Sequence, residues 1–188
     1  MTKSLKPNMS FNAKRLSLKK NNKAIRRIEM DRTLFENISI GGRLAFGVSC
    51  LELLYKAWNV NNEKMDYFVE TLWTFTKAEM LNEWDDNIRL LLPNNDRTES
   101  YANKFGYEKL ETNQQEILTN TIWNVMEIGQ GNLYGEYNSK YSLLPLLNVI
   151  ETLEENGVNL PNITLFEKSK VDKSHGWGNP VDKSLFVP

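Results

Sequence analysis

A chain of 188 residues, 40% apolar and 11% aromatic, suits one domain with a sizeable core and excludes disorder throughout. Its formal net charge of −1 hides a division: residues 1–28 hold nine basic residues and no acid, whereas residues 29–188 carry a net −10. That is a basic arm on an acidic body. The most apolar stretch, Leu44 to Leu51, is bounded by Arg43 and Glu52, far short of the roughly 20 residues of a membrane span.

Taken in chain order, residues 1–22 read as a loose basic arm interrupted by Pro7 and Asn21-Asn22. No apolar stretch follows Lys3 and Lys6, so a secretory signal is not expected; the lack of acids resembles a transit peptide, but the amphipathic pattern is broken. Ile25, Ile28, Arg32 and Phe35 predict a basic helix over 23–36. After Ser39-Ile40-Gly41-Gly42, the spacing of Leu44, Val48, Leu51 and Tyr55 predicts a strong helix through Trp58, apolar on most sides and therefore central. Gly42, Ala45 and Ser49 give it a small-residue face open to a close neighbour.

Asn61-Asn62 signals the cap of a helix carrying Met65, Phe68, Leu72 and Phe75. Asn82 is the expected cap of a short helix with Trp84, Ile88 and Leu91, stopped by Pro93. A surface turn at Asn94-Asn95-Asp96 and a short helix with Tyr101 and Phe105 follow. Thr112 with Gln115 reads as a capping box before Leu118, Ile122 and Val125, and Gly129 and Gly131 as that helix's end. Ser142 is the expected cap of the last helix, whose first turn then tolerates Pro145 and whose buried face is Leu143, Leu146, Leu147, Ile150 and Leu153. Gly157 stops it.

Residues 162–166 read as a short strand or an extended segment, and 167–188 as an irregular tail. The expectation is an all-α, single-domain helical bundle of about five to seven helices, with an arm (1–22), a helical domain (23–166) and a tail (167–188).

Catalytic constellations are sparse. A cysteine nucleophile needs a nearby base, yet the one histidine, His175, lies in the tail and the one cysteine, Cys50, on the most buried helix. Core filling explains Cys50 better, and a single cysteine excludes an internal disulfide framework and fits a reducing, cytoplasmic location. One Cys and one His make a poor zinc set, and the Glu-x-x-His pair of a di-iron bundle is missing. No metal or cofactor is expected. The run Gly129-Gln130-Gly131-Asn132-Leu133-Tyr134-Gly135 differs from the dinucleotide fingerprint and follows a helix rather than a strand, so helix termination accounts for it.

Two features remain. The basic arm could neutralise phosphates, although Phe11 is its one aromatic and the acidic body would repel nucleic acid. Glu79, Glu83, Asp85 and Asp86 flank Trp84: either Trp84 joins Ile88 and Leu91 in the core, or it is an aromatic anchor inside negative charge. On both readings the four carboxylates are expected outside, as a contact surface for a basic partner.

Three stretches carry a family likeness: Gly42-Arg43-Leu44-Ala45-Phe46-Gly47 running into Cys50-Leu51-Glu52; the helix Leu143–Gly157 ending Glu154-Glu155-Asn156-Gly157; and Gly176-Trp177-Gly178-Asn179-Pro180. From about Gly41 onward the chain resembles the small helical immunity proteins of bacterial polymorphic-toxin and contact-dependent inhibition systems. The resemblance implies a protein without catalysis of its own that binds one cognate toxin and blocks its active site. Such toxins are often nucleases with basic clefts, which an acidic inhibitor suits. The arm lies outside the resemblance, and no binding residue carries over from it.

Overall fold

In the computed structural model, residues 33–93 and 99–186 are described. The arm, the helix expected over 23–36 as far as residue 32, and the Asn94-Asn95-Asp96 turn lie outside them. The described residues form a single all-α domain: after a helical turn at 33–36 come α1 (Ile40–Ala57), α2 (Glu63–Trp73), a 3₁₀ turn (Thr74–Lys77), α3 (Leu81–Leu91), α4 (Tyr101–Phe105), α5 (Thr112–Gln130) and α6 (Ser139–Glu155). Short 3₁₀ turns at Ile163–Leu165, Ser174–Gly176 and Lys183–Leu185 punctuate the rest. Residues 162–166, read as strand or extended, are therefore a tight turn that delivers Phe166 into the core.

Helix α1 is the axis of the fold, packed against both α5 and α6, which also pack on one another. Its apolar character on most sides is satisfied because helices cover two sides and the tail a third. Gly47 lets α5 approach: a Cβ there would stand 2.6 Å from Ile128 Cδ1. The glycines at the helix start serve the tail. Gly41 donates its N–H to the Trp177 carbonyl at 3.1 Å, and a Cβ on Gly42 would meet Ser169 Cβ at 3.0 Å. A ladder of rings, Phe35–Phe46–Phe166–Phe186, with centroids 4.8, 5.0 and 5.4 Å apart, joins the N-terminal turn, α1 and the tail into one core.

Local capping departs from the sequence reading at four places. Helix α3 starts at Leu81 after Met80, without a side-chain cap, and Asn82 sits inside its first turn. The capping box of α5 is one residue earlier, Glu111 with Gln114; the Glu111 N–H donates to Gln114 Oε1 at 3.3 Å. Gln115 instead uses its amide on the Glu108 and Leu110 carbonyls. Gly129 is interior to α5: a Cβ would lie 2.8 Å from Trp84 Cη2, so this glycine seats the indole and only Gly131 ends the helix. Helix α6 begins one turn before expected, capped by Asn138, whose side chain accepts from the Lys140 N–H at 3.0 Å. Pro145 therefore lies beyond the first turn, in the helix interior, and the Tyr141 carbonyl loses its usual N–H donor.

Ser142 is released by that shift for a different task. Arg43, fully buried on α1, donates from Nη1 to Ser142 Oγ at 2.8 Å and to the Ser139 carbonyl at 3.1 Å. Its Nε reaches the Phe35 carbonyl at 3.0 Å and its Nη2 the Glu36 carbonyl at 3.2 Å. One guanidinium thus ties the N-terminal turn to α1 and α6. Burial pulls its pKa down, opposed by the Tyr137 hydroxyl and by Glu36.

Replacing Arg43 with Met removes four hydrogen bonds from a buried site, although the Phe35 carbonyl keeps the Ile38 N–H and the Ser139 carbonyl the Ser142 hydroxyl, and a loss of about 3 kcal/mol in urea unfolding is expected. Ser142→Ala keeps the charge but removes one acceptor, with an expected loss of about 1.5–3 kcal/mol. An R43M variant as stable as the parent would contradict this role.

Burial also holds the Tyr101 and Tyr107 phenols up to about 12 from the ordinary 10. Raised phenols add stability that is fully present below pH 10 and is lost as pH rises through about 12. Denaturant midpoints measured across that window should fall, and less steeply in Tyr107→Phe.

Candidate functional site

Helix α3 turns one face in and one face out. Trp84 and Ile88 are buried, with Trp84 edge-on to Phe75 at 4.9 Å. The open choice for Trp84 is resolved toward the core. Its indole N–H has no hydrogen-bond acceptor, so shape and ring contact hold it there.

The four acidic residues separate. Glu79, in the turn before α3, and Glu83 and Asp86, on the helix, are exposed and pair with no cation among the described residues. Asp85 does not share that exposure. It is 1% exposed, and its carboxylate accepts from Arg89 Nε at 2.9 Å, Gln130 Nε2 at 2.6 Å and the Tyr134 hydroxyl at 3.0 Å. Measured from the core direction set by Trp84 and Ile88, residue 85 lies about 80° round the helix, whereas residues 83 and 86 lie about 120° and 180° away. Asp85 is thus a positioning residue: it seats α3 on α5 and fixes Tyr134, which is 73% exposed.

Residues that the charge pattern passed over complete this face. Met80, 55% exposed, and Leu90, 79% exposed, stand at either end of the outward stripe that also holds Glu83 and Asn87. Their spacing of i, i+3, i+7 and i+10 was the available signal. The stripe thus carries one acid and one amide between two exposed apolar side chains, with Asp86 and Arg89 exposed alongside it.

Beside it lies a cavity of about 230 Å³, between the start of α1, the 3₁₀ turn after α2 and the tail. Phe75, Leu81, Trp177, Pro180 and Val181 form its apolar walls, and Glu79 stands on its rim. The walls are pinned, because Val181 donates to the Thr76 carbonyl at 2.7 Å and Trp177 accepts from Gly41. Ser174 and His175 sit at φ 50° and 52°, next to Gly176 at 91° and Gly178 at 82°. The two non-glycine residues each cost on the order of 1–2 kcal/mol in that region, strain that the packed surroundings must offset.

The remaining chemistry-bearing groups are dispersed. Cys50 is fully buried, and burial pushes its thiol up, away from a reactive thiolate; His175 is exposed in the tail. No group of three or more His, Cys, Asp or Glu able to hold a metal occurs among the described residues. No described helix is long and apolar enough to cross a membrane. Comparison of the chain with protein-family profiles, curated proteins and solved structures gives no match.

The Asp85 carboxylate, as acceptor of the Tyr134 proton, holds that phenol above its ordinary value. In Asp85→Asn the Tyr134 titration, followed by tyrosinate absorbance, should move back down. An unmoved titration would deny Asp85 its hold on Tyr134.

Proposed function

We propose that this protein is a non-enzymatic binding protein, an immunity protein, that neutralises a cognate toxin domain through its acidic surface. The carrying observation is the outward face of α3: Glu83 and Asp86 stand exposed between Met80 and Leu90 and form no salt bridge among the described residues. The described residues hold 21 acids against 12 bases, so this part of the chain is net negative. A partner with a basic cleft, such as a nuclease domain, fits that charge. Its approach would be accelerated above the neutral rate of about 10⁵–10⁶ M⁻¹s⁻¹. The apolar ends and Tyr134 supply desolvated contact, which slows dissociation.

The test is co-expression with the product of the adjacent gene, followed by binding kinetics on the purified pair. The wild-type chain should protect the host and form a complex at low salt. Glu83→Lys with Asp86→Lys should lower the association rate by about tenfold or more, and the gap should narrow as salt rises. No complex at low salt would remove the proposal. Salt-sensitive nucleic-acid binding that disappears with residues 1–28 would instead favour the basic arm.

A further inference from the structure

We propose that the cavity between Trp177, Phe75 and Val181 is the socket for an arginine side chain of the basic partner, with Glu79 as its counter-ion. The inference rests on the reading of the acidic face as a partner-binding surface, and it specifies which partner group anchors there.

Size and chemistry both select this occupant. A volume of about 230 Å³ is below the range of ordinary small-molecule pockets, roughly 300–1,000 Å³, and is on the scale of one long side chain. Among the described residues that line it, Glu79 is the one ionisable group, and the walls are otherwise rings, aliphatic carbons and small polar groups. An apolar slot with a carboxylate at its mouth fits a side chain with an aliphatic stem and a cationic head. Rings from Phe75 and Trp177, with centroids 5.8 Å apart, favour a planar guanidinium, which stacks on aromatic faces as well as pairing with carboxylate.

The chain already docks a cation of its own by this chemistry. Lys183 Nζ lies 5.0 Å over the Trp73 ring, with Glu70 Oε1 at 2.6 Å and Glu52 Oε1 at 3.7 Å. At the proposed socket the aromatic wall and the carboxylate are both present, and Glu79 has no cation among the described residues.

Two further observations point to a binding role. The socket is continuous with the α3 face, since Ala78, Glu79 and Leu81 line it while Met80, between them, is exposed. The segment arching over it holds the positive-φ residues Ser174 and His175, and strain of this kind concentrates at ligand clamps.

The probe is a blocked Ala-Arg-Ala peptide titrated into the full chain, with the Trp177 indole N–H followed by NMR. The same peptide bearing citrulline, the neutral isostere of arginine, is the comparison. A roughly millimolar arginine-dependent shift is expected, with little response to citrulline. Affinity should fall about tenfold in Glu79→Gln and remain unchanged in Glu155→Gln, a distant exposed acid on α6. Equal response to both peptides, or no shift up to about 10 mM, overturns the socket. The peptide assay needs no toxin, so it fails separately from the proposed function. If the peptide binds while the adjacent gene's product does not, the socket stands and the toxin reading falls. If the product binds equally well to wild type and E79Q, the partner's arginine is not seated here, and the proposal falls while the toxin reading stands.

Discussion

A buried guanidinium is the constraint around which this fold is arranged. Arg43 is satisfied by three main-chain carbonyls and one hydroxyl, from Phe35, Glu36, Ser139 and Ser142. Taking a charge out of water costs several kcal/mol after relaxation, so the fold must supply these acceptors together or not at all. The requirement sets the register of α6 against α1, because Ser139 and Ser142 are one turn apart on the face that meets Arg43. It also holds the chain entering α1, since Phe35 and Glu36 must present their carbonyls. Phe35 then begins the ring ladder through Phe46 and Phe166 to Phe186, by which the last described residues reach the same core.

The same arrangement shapes the surface. Arg43 presents no guanidinium to solvent, and Asp85 is likewise withdrawn into contacts with Arg89, Gln130 and Tyr134. The charges left facing solvent on α3 are Glu83, Asp86 and the guanidinium of Arg89, with Glu79 in the turn before the helix. The buried carboxylate of Asp85 tethers the hydroxyl of Tyr134, whose ring stays exposed.

Much of the fold was legible in the sequence because apolar periodicity reports burial directly. The spacing of Leu44, Val48, Leu51 and Tyr55 marked α1 as central, and the faces of α2, α5 and α6 followed from the same rule. Capping was less legible, because several Asn, Ser, Thr and Gln residues near each helix start compete for one role. Ser142 shows why. Its chemistry suits a cap, but a long-range partner 99 residues away, Arg43, claims its oxygen. Gly129 is a similar case: the sequence marks a helix breaker, and only the packed indole of Trp84 explains a glycine inside a helix. At the candidate surface, charge spacing identified the strip but not which carboxylate turns inward. That depends on Gln130 and Tyr134, whose proximity to Asp85 is a property of the tertiary fold.

The tail is where sequence pattern says least and the fold depends most on exact conformation. Its residues show no sustained period, so no helix or strand can be read from them, yet Ser169, Gly178 and Phe186 are buried. The reason is that the tail packs by close backbone approach. A Cβ on Gly178 would fall 2.5 Å from Ser39 Oγ, and a Cβ on Gly176 would fall 2.5 Å from the Tyr137 ring. Both glycines also have positive φ, so side chains are excluded by space and by backbone geometry together. The arch they form meets the N-cap of α1, because Ser39 Oγ caps Gly42 and bonds Ser169 Oγ at 2.6 Å. The cavity wall and the start of the central helix are therefore held by one set of contacts. A change that loosened the tail would open the cavity and uncap α1 together, which couples the candidate binding surface to the stability of the whole domain.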